Sequence, residues 1–137
     1  MMYLLDTSVV SELRNSRKAD KKVKAWATSV APNSLYLSVI TILELEMGIL
    51  QIERRDNKQG ALLRAWLESR VLPAFDHRIL PVDTVVALCC AKLHVPNPHS
   101  ERDALIAATG LVHGLTVVTR NVVDFKSSGV RLLNPWG

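Results

Sequence analysis

At 137 residues, 48% of them hydrophobic and with a net charge of +4, the chain can bury a conventional core and falls outside the compositional range of disordered proteins. No apolar run approaches the roughly 20 residues that a membrane span requires. The opening MMYLLDTSVV carries no basic region before its apolar stretch and meets Asp6 at once, which argues against a secretory signal and for a cytoplasmic protein. Cys89 and Cys90 are adjacent, so they are poor disulfide partners, and two cysteines make no zinc framework; they read as small core residues of a reducing compartment.

The first predicted element is a strand at Tyr3-Leu4-Leu5, apolar throughout and therefore buried on both faces. A helix follows over about 20–30, carrying Trp26, and a second buried strand covers 35–39. Residues 41–53, rich in Leu, Glu and Met, form a helix. Over 59–72, Leu62/Leu63, Trp66/Leu67 and Val71 recur at helical spacing, with Pro73 as the stop. Residues 79–82 are a weaker strand, which Pro81 confines to a sheet edge or strand end. Val85/Val86, Cys89/Cys90 and Leu93 repeat the helical spacing. The next helix, Glu101–His113, has Ser100 as N-cap and Gly114 as C-terminal stop. A buried strand over 115–118 and a weaker one over 131–133 complete the chain. No repeat, low-complexity tract or linker divides it, so one domain over 1–137 is expected. Strands alternating with helices predict a mainly parallel sheet covered by helices on both faces, with any site at the carboxyl ends of the strands.

Four acids meet that placement. Asp6 ends the first strand, Glu44 lies in the opening turn of the helix after the second, Asp103 opens the helix in SERDALIAATG, and Asp124 follows the strand in LTVVTRNVVDF. Each has a structural alternative. Asp6 would cap the helix after it, Thr41-x-x-Glu44 reads as a capping box, Ser100-x-x-Asp103 is a looser version, and Asp124 could be a solvated turn residue. Four carboxylates at one sheet edge repel one another unless cations join them, and hard divalent ions such as Mg2+ or Mn2+ suit an all-carboxylate set. His77, His94, His99 and His113 show no paired spacing and read as surface or helix-end residues. The chemistry that follows is phosphodiester hydrolysis. Thr7, Ser8, Thr119 and Asn121 are candidates to orient ligands or phosphate oxygens. Two basic clusters, Arg14, Arg17, Lys18, Lys21, Lys22 and Lys24, then Arg54, Arg55 and Lys58, fit a polyanionic partner held through its phosphates, although a solvated helical surface would carry the same pattern.

LLDTSVVSEL, SVITILELEMG and RDALIAATGLVHGLTVVTRNVVDF together resemble the PIN-domain family, most nearly the VapC/FitB-type toxins of toxin–antitoxin pairs. The resemblance spans nearly the whole chain, and TRN-x-x-DF after DALIAAT is its most specific portion. It implies a three-layer α/β/α sandwich and a single PIN-like nuclease domain. The family's acidic residues fall on Asp6, Glu44, Asp103 and Asp124, and its polar TRN positions on Thr119 and Asn121. It further implies a Mg2+- or Mn2+-dependent endoribonuclease, usually dimeric, held inactive by a small cognate antitoxin, with larger toxin–antitoxin assemblies possible. Ser8 stands where many relatives have asparagine, and Gly110 where alanine is common; the glycine would permit close packing against a neighbour. Residues 54–100 match only in their helical pattern.

The alternatives differ in class. A non-catalytic PIN-like module would hold RNA or a protein without cutting, but such members usually lose acids that this chain keeps. A haloacid-dehalogenase-type phosphatase needs an acid where Ser8 stands, and a receiver domain needs paired acids near the start. A DNA nuclease with the same metal site remains open, because phosphate-dominated contacts suit either sugar.

Overall fold

The computed structural model describes residues 1–137. In chain order the elements are β1 (Tyr3–Leu5), α1 (Thr7–Leu13), α2 (Lys21–Ser29), β2 (Leu35–Ser38), α3 (Val39–Arg55), α4 (Asn57–Trp66), α5 (Leu72–Ala74), β3 (Ile79–Leu80), α6 (Thr84–Leu93), α7 (Glu101–His113), β4 (Thr116–Val118), α8 (Val122–Phe125) and β5 (Leu132–Leu133). The strands form one five-stranded sheet in the order β3-β2-β1-β4-β5, and every neighbouring pair is parallel.

Successive strand residues face opposite sides, so the apolar runs read from the sequence serve two cores at once. Leu5, Leu37 and Val118 face the layer built by α1 to α4, where they meet Val9, Val10, Val23, Leu45, Ile49 and Leu63. Leu4 and Val117 face the opposite layer, against Ile106, Ala107 and Phe125 of α7 and α8. Outside α7 lies α6, joined to it through Val86 and Cys90 packing on Ala104 and Ala108. Three layers result, as the resemblance implies. Both cysteines are free thiols; Cys90 is buried in the core and Cys89 only partly so.

Two glycines set how closely the layers approach. At Gly110, fully within α7, a Cβ would lie 3.0 Å from Cγ2 of both Val117 and Val130, so the missing methyl lets helix and sheet close up. At Gly60 in α4, a Cβ would lie 2.8 Å from Cα of Glu53 on α3. That contact is with backbone, so α3 and α4 can cross where they do only with glycine. Arg64, one turn further along α4, reaches back to Glu46 at 2.6 Å and Glu53 at 3.1 Å and holds the pair together.

Several sequence expectations need correction. Pro73 does not stop the helix before it. Residues Leu67–Val71 widen into a π turn, in which Leu72 N–H donates to the Leu67 carbonyl, and Pro73 then sits in the first turn of α5. The wider turn relieves the clash and the missing donor that proline brings to a regular helix. Helix α3 begins at Val39 rather than 41, capped by Ser38 Oγ, which accepts from Ile40 N–H at 3.0 Å. That start shortens the expected strand over 35–39 and removes Thr41 and Glu44 from any capping box. Ser100 occupies the N-cap position of α7 but its side chain makes no cap hydrogen bond. The strand expected over 79–82 is confined to Ile79–Leu80 at the sheet edge. His94 and His99, unpaired in sequence spacing, come together: His99 N–H donates to His94 Nδ1 at 3.2 Å. Gly114 closes α7 in the left-handed conformation (φ 66°), as expected.

Candidate active site

The carboxyl ends of β1 and β4, side by side in the centre of the sheet, build the middle of the site. Asp6 follows β1 directly, and its backbone N–H donates to the Val118 carbonyl at 2.9 Å, which fixes the residue against the end of β4. Its side chain is nearly buried (6% exposed). One carboxylate oxygen accepts from Thr7 N–H at 2.8 Å and caps α1, so the capping alternative holds for this residue. The other accepts from Thr119 Oγ1 at 2.8 Å and Ser8 Oγ at 3.1 Å. Capping and site geometry are therefore compatible: one oxygen serves the helix and the other is oriented by two hydroxyls.

Glu44 arrives from α3. Its Oε1 accepts from Thr7 Oγ1 at 2.6 Å, and the Thr7 hydroxyl lies 3.2 Å from Oγ1 of the fully buried Thr41. Its Oε2 stands 3.7 Å from Arg102 Nη1, at the start of α7. Thr119 Oγ1 also accepts from Asn121 N–H at 3.0 Å, and the Asn121 carbonyl accepts from Asp124 N–H at 3.0 Å. Asn121 thus acts through its main chain; its side chain does not cap α8.

Asp103 lies within electrostatic reach of the other three acids. Its carboxyl is pushed above the ordinary carboxylate range, first by burial and then by the charges of Asp6, Asp124 and Glu44, with Arg102 opposing. Asp103 and Asp124 also share the wall of one narrow cleft. Asp6, Glu44 and Asp103 are buried or partly so, while Asp124 is exposed. No three of the acids stand close enough to make a ready-formed cage for an ion. The donor set is nonetheless all oxygen and carries excess negative charge. Mg2+ characteristically keeps several of its waters and takes only one or two carboxylates directly, so a loose set of this kind fits it.

Sequence reasoning missed two residues here. Thr41 was placed at a helix start, whereas it lies buried beneath Thr7. Arg102 went unremarked, yet a cation in the first turn of a helix opposes the helix dipole. That unfavourable placement was the available signal that an acid faced it.

A family model for the PIN domain matches residues 3–127. The chain belongs to the PIN-domain family. Among curated PIN-type relatives it is 36% identical over 140 residues to the VapC ribonuclease Y4jK of Sinorhizobium fredii, covering 98% of each. It is 37% identical to the toxin FitB of Neisseria gonorrhoeae, covering 98% of this chain and 99% of that one. Among solved PIN-fold structures, the crystal structure of FitAcB from Neisseria gonorrhoeae superposes with a TM-score of 0.90 at 36% identity, over 98% of this chain and 99% of that one.

Proposed function

We propose that this PIN domain is a Mg2+- or Mn2+-dependent endoribonuclease and the toxin of a toxin–antitoxin pair. It would act in the cytoplasm as one nuclease domain, as a homodimer, and be held inactive by a cognate antitoxin in a larger assembly. The observation that supports the reading is that Asp103, itself partly buried, feels the charges of Asp6, Asp124 and Glu44, which come from separate elements. A relative named a ribonuclease, and a toxin whose structure superposes closely, support the biological assignment.

Asp6, Glu44, Asp103 and Asp124 would hold the metal, some directly and the rest through its waters, and when bound it would supply an acidified water and neutralise charge on the leaving oxygen. The chain's own residues prepare that site. Thr119 and Ser8 hold one oxygen of Asp6 on a fixed bearing, and Thr7 does the same for Glu44. Asn121 sets Asp124 through the main chain. Arg102 partly balances the charge of Glu44, and its guanidinium would be placed to meet a substrate phosphate.

The test is Asp6→Asn. An asparagine oxygen still accepts from Thr7 N–H, and its amide can donate to the Ser8 and Thr119 hydroxyls, so the fold survives. Cleavage of RNA in Mg2+ is expected to disappear while the circular dichroism spectrum is unchanged. Full activity in the soluble variant would remove the site from consideration.

A further inference from the structure

Beside Glu44 a trough of about 330 Å³ runs between α1, α3 and α4, at the lower end of the roughly 300–1,000 Å³ typical of ligand pockets. Thr7 and Glu44 line it, so it opens directly from the acid cluster. We propose that this trough is a subsite for one unpaired nucleotide of the RNA. Its base would lie over Gly48 and against Trp66, its edge would meet Gln59, and its phosphate would meet Arg14. The proposal rests on the ribonuclease reading and names where that enzyme grips its substrate.

Gly48 carries the argument. It lies in the interior of the 17-residue helix α3, one turn beyond Glu44 and on the same face. Glycine is the poorest residue for a helix interior after proline. At Gly60 and Gly110 packing explains the glycine, but a Cβ on Gly48 would meet nothing within 4 Å. Its backbone is helical, so no special dihedral requires it either. What a side chain there would occupy is the trough itself. A bare backbone is the usual solution where a ligand must approach closely.

The other lining groups suit a nucleotide. Trp66 is partly exposed and offers an aromatic surface, Gln59 an amide with both donors and an acceptor, and Arg14 an exposed cation. Bases displayed on unpaired RNA are recognised by this combination of stacking, edge hydrogen bonds and phosphate contact. The trough is largely apolar but carries polar and charged groups at Thr7, Arg14, Glu44 and Gln59, and it is continuous with the residues that would meet the scissile phosphate.

The experiment measures binding of fluorescein-labelled single-stranded RNA hexamers to the full chain, with Ca2+ replacing Mg2+, for wild type, Gly48→Ala, Gly48→Leu and Gln59→Ala. Gly48→Ala is expected to raise the melting temperature yet weaken RNA binding. Gly48→Leu should weaken it roughly ten- to hundredfold, the scale of losing one stacked base. Gln59→Ala should change the ranking among hexamer sequences. Unchanged RNA affinity in a folded Gly48→Leu variant overturns the proposal, and loss of antitoxin binding alone would assign the trough to a protein instead. Should Gly48→Leu fail to fold, unchanged affinity in both Gly48→Ala and Gln59→Ala overturns it equally. Failure of the ribonuclease reading is distinct: wild type and Asp6→Asn would then both leave RNA intact, whatever the trough variants bind.

Discussion

Replacing Thr119 by valine isolates the hydrogen bonding around Asp6 from its packing. Thr119 is fully buried, and valine has nearly its shape, so the core beside β4 keeps its contacts. What disappears is the 2.8 Å hydrogen bond to the Asp6 carboxylate and the acceptor for Asn121 N–H. Asn121 is exposed and its N–H can turn to water. The Asp6 oxygen keeps only Ser8, at a longer 3.1 Å. A hydrogen bond to a charged group contributes about 1.5–3 kcal/mol, and the extra buried methyl returns a fraction of that, so the expected loss is about 2 kcal/mol. For a chain of this size that lowers the melting temperature by roughly 6–10 °C. Differential scanning calorimetry without metal measures it, with Thr119→Ser as control because serine keeps the hydroxyl. Mg2+-dependent cleavage should fall as well, since one bearing of Asp6 is gone. A shift below about 2 °C, or an equal loss in Thr119→Ser, would show that packing rather than this hydrogen bond matters.

Asp103→Asn is expected to stabilise the metal-free protein while abolishing cleavage. The folded-state pKa of Asp103 is raised, so its contribution is intact below the unfolded value and is lost as pH rises through the folded one. Urea midpoints in EDTA should therefore favour the variant increasingly from about pH 4 upward; a pH-independent difference would contradict this. Gly60→Ala should destabilise by about 1–3 kcal/mol in urea despite better helix propensity, because the new methyl meets the Glu53 backbone; a stabilised variant would refute the crossing geometry. Replacing Lys21 and Lys22 by alanine should lower the salt slope of RNA binding by about 1.4 if both contact phosphates, and leave it unchanged if they are only a solvated surface.

The strands were readable because burial on both faces leaves an uninterrupted apolar run, and β1, β2 and β4 bear that out. Helix edges were harder. Ser38 outcompetes Thr41 as a cap because its hydroxyl meets the amide two residues on, and that choice is made by the strand that delivers it. The π turn ahead of Pro73 depends on how α4 meets the layers around it, which local spacing does not encode. The acids were readable one at a time, by position after strands. That Asp6 lies beside the end of β4 follows only from the sheet order. Thr41, Arg102 and the bare face at Gly48 owe their significance to neighbours from other elements, so no window of sequence displays it.

The position of β4, inside the sheet and beside β1, has a consequence for when the acid site is completed. It pairs with β1 in the register Tyr3 to Thr116, so β1 waits for a partner made long after it. Until it arrives, Asp6 lacks both Thr119 and the backbone partner at Val118, and Asp124 does not yet exist. A chain that stops short of β4 therefore lacks one of the four acids and the hydroxyl and carbonyl that position another. On the ribonuclease reading proposed above, such a chain cannot cut the message that encodes it until β4 and Asp124 have both been made.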